Sequence, residues 1–280
     1  MGFKCGIVGL PNVGKSTLFN AMTQSAAAQA ANYMFSTTSA NIGEVPVPDP
    51  RLEVLGRIAK SEKLVPTRLT FVDIAGLVSG SSRGEGLGNR MLAQIREVDA
   101  IAHVVRCFVD PDVPHVRDVI DPIADIDTVE TELMLADLES LERRVEGLTK
   151  KAKGHDKEAD EAKLTLDLVN RALALLREGK PARLVERKPE EQKAFRMLML
   201  LTALPVLYVC NVDEAAAASG NEFSHQVEQR AKKEGAAVVV ISAKIEAEIA
   251  MLPEAERNDY LAAIGLSEPG LHRMIRAGYG

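Results

Sequence analysis

Short apolar runs recur along the chain, and segments with the spacing of amphipathic helices separate them. Their length and apolar character are typical of buried β-strands. The strands predicted in this way are Phe3–Val8, Leu69–Gly76, Ala100–Phe108, Val206–Cys210 and Ala237–Ile241. Helices are predicted after the first strand and over Arg51–Ser61, Asn89–Val98 and Phe223–Glu234. Strands that alternate with helices predict an α/β fold with a mostly parallel sheet.

A long helical segment interrupts this alternation. Apolar residues recur there at steps of three and four in two stripes, Leu138–Ala152 and Ala162–Leu176, with a break at Gly154. Two stripes joined by a short polar turn predict an inserted antiparallel helical hairpin of the coiled-coil type, although two ordinary amphipathic helices packed on a core share this spacing. The predicted limits are residues 1–126 and 205–280 for the first and second parts of one domain, and 127–204 for the insertion.

Several connecting segments also have a predicted structure. Val45–Pro50 is a proline-stiffened connection, and a helix is expected from Pro189 to about Ala203. The closing segment, Asp259–Tyr279, is expected to be helical. The turn of the hairpin, Lys150–Lys157, is basic, and either a solvated tip or a contact with RNA phosphates explains its charge.

The residues between the first strand and the first helix, Gly9–Thr17, have the sequence GLPNVGKST. This matches GxxxxGK[ST] in its required strand, loop and helix context, which predicts a phosphate-binding loop. Glycines at both ends let backbone N–H groups turn toward a polyphosphate, and the helix N-terminus adds partial positive charge. Lys15 is predicted to reach the β- and γ-phosphates, and the Ser16 hydroxyl to bind Mg²⁺. The other predicted nucleotide contacts of this loop are Asn12, Val13, Gly14 and Thr17.

Two later segments supply further candidate ligands for Mg²⁺ and phosphate. Thr37 and Thr38 lie in a polar loop, where either threonine can close over Mg²⁺ and the γ-phosphate. Asp73 and Gly76 form a DxxG motif after an apolar strand, so Asp73 can hold the Mg²⁺ shell and the Gly76 amide can meet the γ-phosphate. Leu77 follows, at the position where Ras-like enzymes have the glutamine that orients the attacking water, so intrinsic hydrolysis is expected to be slow.

Two strand ends have candidate base-reading residues. Ras-like GTPases read guanine with NKxD, whereas this chain has NVDE at residues 211–214. Because the carboxylate of Glu214 is one methylene longer, it falls out of register with the guanine edge, and the Asn211 amide can instead meet adenine. Asp213 and the SAK sequence at residues 242–244 favour guanine, so GTP stays open beside ATP. The predicted base contacts are Asn211, Val212, Ser242, Ala243 and Lys244.

Composition narrows the class of protein further. The 280 residues have a formal net charge of −6, which gives no overall attraction to nucleic acid. Cys5, Cys107 and Cys210 are odd in number and lie in apolar runs, so we expect buried free thiols in a reducing compartment. No apolar run approaches the length of a membrane span. A cytoplasmic location is therefore predicted. A monomer is also expected, although none of these observations bears on it.

Several of these sequences together resemble the YchF/Obg-like ATPase family. They are GLPNVGKST at 9–17, FVDIAGLV at 71–78, GEGLGN at 84–89, HVVRCF at 103–108, NVDE at 211–214 and the closing EPGL and IRAGY. The resemblance implies a Ras-like P-loop NTPase domain interrupted by a coiled-coil hairpin, a preference for ATP, and association with the ribosome. It also implies that the C-terminal TGS domain, which follows IRAGY in family members, is absent here.

The resemblance also implies roles for individual residues. Lys15 and Ser16 match the phosphate and Mg²⁺ residues, Thr37 the switch threonine, Asp73 and Gly76 the DxxG pair, and Asn211 the base reader. Asn12 stands where potassium-stimulated relatives have a cation-binding asparagine, which suggests activation by K⁺.

The function predicted from the sequence is a slow, Mg²⁺-dependent ATPase that acts as a ribosome-associated conformational switch. Two alternatives stay open. One is a GTP-specific enzyme with the same fold. The other is a nucleotide-gated binding module in which the helical hairpin docks a partner and hydrolysis is incidental.

Overall fold

The computed structural model describes residues 3–29, 42–74, 87–115 and 119–279. The chain divides into two compact units. Unit 1 consists of residues 1–76, 98–126 and 206–280, and unit 2 consists of residues 77–97 and 127–205. The domain limits that we derived from the sequence stay a prediction.

A six-stranded sheet runs through unit 1. Its strands are β1 (Phe3–Val8), β2 (Ile42–Pro46), β3 (Arg68–Asp73), β4 (Ala100–Arg106), β5 (Val206–Asn211) and β6 (Ala237–Ile241). They lie in the order β2-β3-β1-β4-β5-β6, and every neighbouring pair is parallel except β2 with β3. All seven residues of β4 are buried, because a central parallel strand is covered on both faces. The predicted α/β fold with a mostly parallel sheet is confirmed.

Ten α-helices are present in the described residues. They are α1 (Lys15–Gln29), α2 (Pro50–Ala59), α3 (Leu87–Arg96), α4 (Pro122–Lys151), α5 (Lys157–Arg177), α6 (Gln192–Arg196), α7 (Glu222–Glu234), α8 (Ala243–Met251), α9 (Glu254–Ala263) and α10 (Gly270–Tyr279). Helices α3, α5 and α6 belong to unit 2, and the boundary between the units falls within α4.

A cluster of buried side chains covers strands β4 and β5 in unit 1. Tyr208 and Cys210 of β5 pack with Val227 of α7 and Ile126 at the start of α4. The predicted burial of the three cysteines is confirmed, since Cys5, Cys107 and Cys210 are all buried free thiols.

Strand β2 was not predicted, because Val45–Pro50 was interpreted as a connection. The strand pairs antiparallel with β3, with Gly43 opposite Phe71 and Val45 opposite Leu69. The two ends of β2 differ in solvent exposure, since Ile42 is exposed whereas Val45 is buried. Proline lacks the N–H that a central strand needs, and it is tolerated here because β2 lies at the edge of the sheet.

The prediction of one helix over Asp259–Tyr279 is wrong. Helix α9 ends at Ala263, and Gly265 follows with a φ of 75°. A left-handed residue ends a helix at low cost when it is glycine, and Leu266 N–H then bonds to the Leu261 carbonyl. A new helix, α10, begins at Gly270. Helix α8, directly after β6, was also missed.

The prediction of a helix from Pro189 to Ala203 is also wrong, since its α-helical part ends at Arg196. Met199 has a φ of 54°, a left-handed conformation in which the chain turns. The buried Asp137 carboxylate then accepts hydrogen bonds from Leu201 N–H at 2.9 Å, Thr202 N–H at 2.8 Å and the Thr202 hydroxyl at 2.7 Å. A distant carboxylate thus takes the backbone donors that a continued helix would have used.

The hairpin predicted for the insertion is present in unit 2. Residues 152–156 join α4 to α5, and the Asp156 carboxylate caps α5 by accepting from Ala159 N–H at 2.8 Å. Leu141 of α4 packs with Leu168 and Leu173 of α5 in one apolar cluster. The pairing of Glu142 with Arg177, at the far end of α5, fits an antiparallel arrangement. Supercoiling of the two helices and an RNA contact at their tip stay predictions.

Replacement of Asp137 by alanine tests how much unit 2 depends on this carboxylate. We expect Asp137→Ala to lower the free energy of unfolding by about 3 kcal/mol or more, because three buried donors lose a shared acceptor. Chemical denaturation is the measurement. The control is Glu139→Ala on the same helix, whose exposed pairing with Arg143 contributes less than about 1 kcal/mol. Equal losses for the two variants would contradict the prediction.

Candidate functional site

The candidate site lies in unit 1, at the carboxyl edge of the parallel strands. The predicted phosphate loop follows β1, and NVDE and SAK follow β5 and β6. Parallel strands bring their carboxyl ends to one edge, which is where ligands bind in open α/β sheets. The topology therefore collects motifs that lie about two hundred residues apart in the sequence.

The phosphate loop depends on two glycines. Gly9 has a φ of 150° and Gly14 a φ of 100°, both of which disfavour any other residue. A Cβ atom on Gly9 would collide with the Val104 carbonyl, and one on Gly14 would collide with Asn211 Nδ2. These glycines therefore permit the loop to approach strand β4 and the NVDE segment closely.

Lys15 is the first residue of α1, and it is 7% exposed. Its Nζ donates a hydrogen bond to the Leu10 carbonyl at 2.7 Å, within the phosphate loop. Burial lowers the pKa of Lys15 to about 8, although the Asp73 charge acts in the opposite direction. The ammonium is thus held at the loop by one carbonyl that a phosphate oxygen can replace.

Ser16 and Asp73 lie side by side, as the predicted Mg²⁺ site requires. The Ser16 hydroxyl donates to Asp73 Oδ2 at 3.1 Å. The other oxygen, Oδ1, is buried and accepts no hydrogen bond within the described part of the chain. Burial raises the pKa of Asp73, whereas Ser16 and then Lys15 lower it. A buried carboxylate oxygen without a donor, next to a hydroxyl, fits a hard divalent cation.

Asn211 joins two of the loops. Its Nδ2 donates to the Val13 carbonyl at 2.9 Å, and its Oδ1 accepts from Ala243 N–H at 2.8 Å. Val212 is buried, and its N–H bonds to the Ile241 carbonyl at 2.9 Å. The side chain that was predicted to read the base therefore also connects the phosphate loop to the SAK segment.

The ends of the NVDE and SAK segments meet at the surface. Glu214 and Lys244 form an ion pair, with side chains 45% and 69% exposed. The Lys244 ammonium holds the pKa of Glu214 below its usual range. Ser242 is buried, and among the described residues its Oγ has no hydrogen-bond partner.

Comparisons with known proteins decide the family. The chain is 53% identical to the ribosome-binding ATPase YchF of Haemophilus influenzae over 279 residues, which cover 100% of this chain and 76% of that protein. The chain belongs to the YchF family. Identity to the ribosome-binding ATPase YchF of Bacillus subtilis is 48% over 281 residues, with 100% of this chain and 76% of that protein covered.

The structure of the Schizosaccharomyces pombe YchF GTPase matches with a TM-score of 0.85 and 33% identity, over 99% of this chain and 75% of that chain. The family described as 50S ribosome-binding GTPase matches residues 4–136. The family resemblance and the fold class that we derived from the sequence are thereby confirmed. In the described residues of this YchF-family chain, no helix has the length and apolar character needed to cross a membrane.

The remaining predicted site residues are placed as follows. Thr37 and Gly76 lie outside the described residues, as does Leu77. Thr17 is exposed on the first turn of α1. Asn12 has a φ of 61°, and its Nδ2 donates to the Pro114 carbonyl at 3.1 Å. The roles assigned to all of these residues stay predictions.

One residue of this YchF-family site was missed. Arg106, at the end of β4, was included in a predicted strand and in the HVVRCF sequence but was given no role of its own, yet it is 1% exposed and donates hydrogen bonds into the loop that follows. The signal in the sequence is an arginine within a run of mostly apolar strand residues. A charge at such a position must find buried acceptors.

The variant Gly14→Ala tests whether the close approach of the phosphate loop to Asn211 matters for binding. We expect the affinity for a non-hydrolysable ATP analogue to fall about a hundredfold, because the added Cβ displaces Asn211 and strains the loop. Calorimetric titration is the measurement. Gly147→Ala is the matched control, since a Cβ there meets open space on α4 and should leave affinity unchanged. Full affinity of a folded Gly14→Ala protein would refute this role for the loop.

Proposed function

We propose that this YchF-family chain is a Mg²⁺-dependent ATPase that hydrolyses the β–γ bond of ATP and acts as a ribosome-binding switch. The observation that carries the proposal is the arrangement of Lys15, Ser16 and Asp73 around one phosphate loop. Relatives that are named ribosome-binding ATPase YchF support both the substrate and the partner. The supporting identity extends over the whole of this chain.

The residues of the loop have separate roles in this proposal. Lys15 Nζ leaves the Leu10 carbonyl and donates to oxygens of the β- and γ-phosphates, which neutralises charge that develops as the bond breaks. Backbone N–H groups at the start of α1 hold the phosphates in place through the helix dipole. Because Leu77 cannot orient water by a hydrogen bond, hydrolysis without an outside group is slow.

Ser16 and Asp73 are the described residues that would hold Mg²⁺, with Thr37 as a further proposed ligand. When it is bound, Mg²⁺ supplies positive charge to the β- and γ-phosphate oxygens. Asp73 Oδ1 supports this assignment, because a buried carboxylate oxygen needs a partner and the described residues offer it none.

For the base, we propose adenine as the preferred partner of Asn211. Each end of its amide already makes one bond to the protein, and one hydrogen and one lone pair are left for a purine edge. Glu214 is held by Lys244 at the surface, which draws its carboxylate away from the role of the NKxD aspartate. Val212, Ser242, Ala243 and Lys244 complete the proposed surroundings of the base.

Two other functions stay open. The Schizosaccharomyces pombe relative is described as a GTPase, which supports the alternative of GTP as substrate. A nucleotide-gated binding module with negligible hydrolysis is the second alternative, in which the hairpin of α4 and α5 docks the partner. A cytoplasmic location, a monomeric state and RNA contact at the basic hairpin tip remain predictions from the sequence.

Calorimetric titration with non-hydrolysable ATP and GTP analogues, in Mg²⁺ and K⁺, tests the base preference. We expect the ATP analogue to bind tighter by about tenfold, or about 1.4 kcal/mol, because Glu214 cannot satisfy the guanine edge. Tighter binding of the GTP analogue would mean that Asp213 or the SAK segment restores guanine recognition. In that case the GTPase alternative replaces the ATPase.

Hydrolysis in different monovalent salts tests the proposed role of Asn12. We expect single-turnover hydrolysis of ATP to be about tenfold faster in K⁺ than in Na⁺ at equal ionic strength, because an amide oxygen can hold K⁺ beside the phosphates. Asn12→Ala should remove the difference, and Lys15→Ala serves as the blank. Equal rates in the two salts would exclude K⁺ activation. No hydrolysis above the Lys15→Ala blank would favour the binding-module alternative.

A further inference from the structure

The loop of residues 107–115 connects β4 to the segment before α4. Strand β4 lies between β1 and β5 in the sheet, so this loop leaves the same edge between the phosphate loop and NVDE. Two contacts agree with that position. Asn12 Nδ2 donates to the Pro114 carbonyl at 3.1 Å. The Cys107 N–H donates to the Asn211 carbonyl at 2.8 Å, which places the start of the loop beside the NVDE segment.

Arg106 fixes the shape of this loop from inside the protein. Its guanidinium donates four hydrogen bonds to backbone carbonyls of the loop, at 2.9 to 3.4 Å. The acceptors are the carbonyls of Phe108, Asp110, Val113 and Pro114. Its Cζ also lies 4.5 Å from the centre of the Phe108 ring. One side chain thus contacts the loop along nearly its whole length.

A buried arginine is costly unless its donors are satisfied. Burial lowers the pKa of Arg106, while the charges of Asp110 and Asp125 raise it. A guanidinium offers five donors in a rigid planar fork, so a lysine of similar charge cannot make the same set of bonds. The far end of the loop is also held, because His115 Nε2 lies 2.8 Å from Asp125 Oδ2 at the start of α4. The loop is therefore fixed at both ends.

We propose that Arg106 is a positioning residue that holds residues 108–114 as one wall of the base end of the nucleotide site. In this role it sets the affinity for the nucleoside part of the ligand, a purine nucleoside. The triphosphate part is held by Lys15 and Ser16, which the hydrogen bonds of Arg106 do not reach. The inference rests on the proposed function, since it assumes that the site binds a nucleoside triphosphate.

Binding of a nucleotide is compared with binding of its polyphosphate part alone, which distinguishes a local effect of Arg106 from a general loss of structure. Binding of a non-hydrolysable ATP analogue and of inorganic tripolyphosphate, both with Mg²⁺, is measured by calorimetry for Arg106→Lys and for the unmodified chain. We expect Arg106→Lys to weaken binding of the ATP analogue about tenfold while the affinity for tripolyphosphate changes less than about twofold. A purely structural role would weaken both ligands alike.

Two further variants serve as a control and as a substitute for Arg106→Lys. Arg144→Lys is the matched control, because Arg144 also donates to a backbone carbonyl, that of Leu198 at 3.1 Å, but lies in unit 2. It should leave both affinities unchanged. If Arg106→Lys does not fold, Pro114→Gly loosens the same loop from its exposed side and should reproduce the selective loss of ATP-analogue affinity.

The outcomes distinguish this inference from the proposed function. Unchanged ATP-analogue affinity in a folded Arg106→Lys protein, or an equal loss for both ligands, overturns the positioning role and leaves the ATPase proposal intact. If Pro114→Gly is used in place of Arg106→Lys, unchanged ATP-analogue affinity or an equal loss for both ligands likewise overturns the positioning role. An unmodified chain that binds tripolyphosphate but neither nucleotide analogue refutes both. If the unmodified chain binds ATP but does not hydrolyse it, only the proposal of ATPase activity is refuted.

Discussion

The amide of Asn211 is the contact on which the nucleotide site depends. It is 4% exposed at the end of β5, and its nitrogen and oxygen reach the Val13 carbonyl and the Ala243 N–H. A planar amide keeps its donor and acceptor at a fixed separation, so the phosphate loop and the SAK segment cannot shift independently. Gly14 has to be glycine for the same reason, because a larger residue would occupy the space of this amide. The amide therefore holds the two loops in one arrangement, and a fixed arrangement of binding loops reduces the ordering cost of binding.

The sequence was sufficient for the parts of the fold that have strong local signals. Continuous apolar runs predicted β1, β3, β4, β5 and β6. The signal is strongest for β4 and β5, because a central parallel strand is buried on both faces. The GxxxxGK[ST] and DxxG motifs predicted that Ser16 and Asp73 would share one site, and the two side chains do meet. The motifs say nothing about Asp73 Oδ1, which has no donor among the described residues. These features depend on residues within a few positions of each other or on a familiar crossover topology.

The features that the sequence did not reveal depend on distant partners. Strand β2 is short and contains proline, and it becomes a strand only through its pairing with β3. The turn at Met199 is stabilised by Asp137, which is more than sixty residues away. Arg106 looks out of place in an apolar run until the carbonyls of its loop are known. Glu214 and Lys244 gave opposing signals about the base, and the structure joins them in a single ion pair.

The buried position of Lys15 has a consequence for how protons accompany ligand binding. With its pKa lowered from 10.5 to about 8, the ammonium of the ligand-free protein loses its proton over a mildly alkaline range. Polyphosphate favours the charged form, so binding near or above pH 8 takes up part of a proton from the buffer. The heat of binding will then contain the ionisation heat of whichever buffer is chosen. The difference in heat between two buffers of different ionisation enthalpy would give the net number of protons taken up on binding, to which Lys15 contributes.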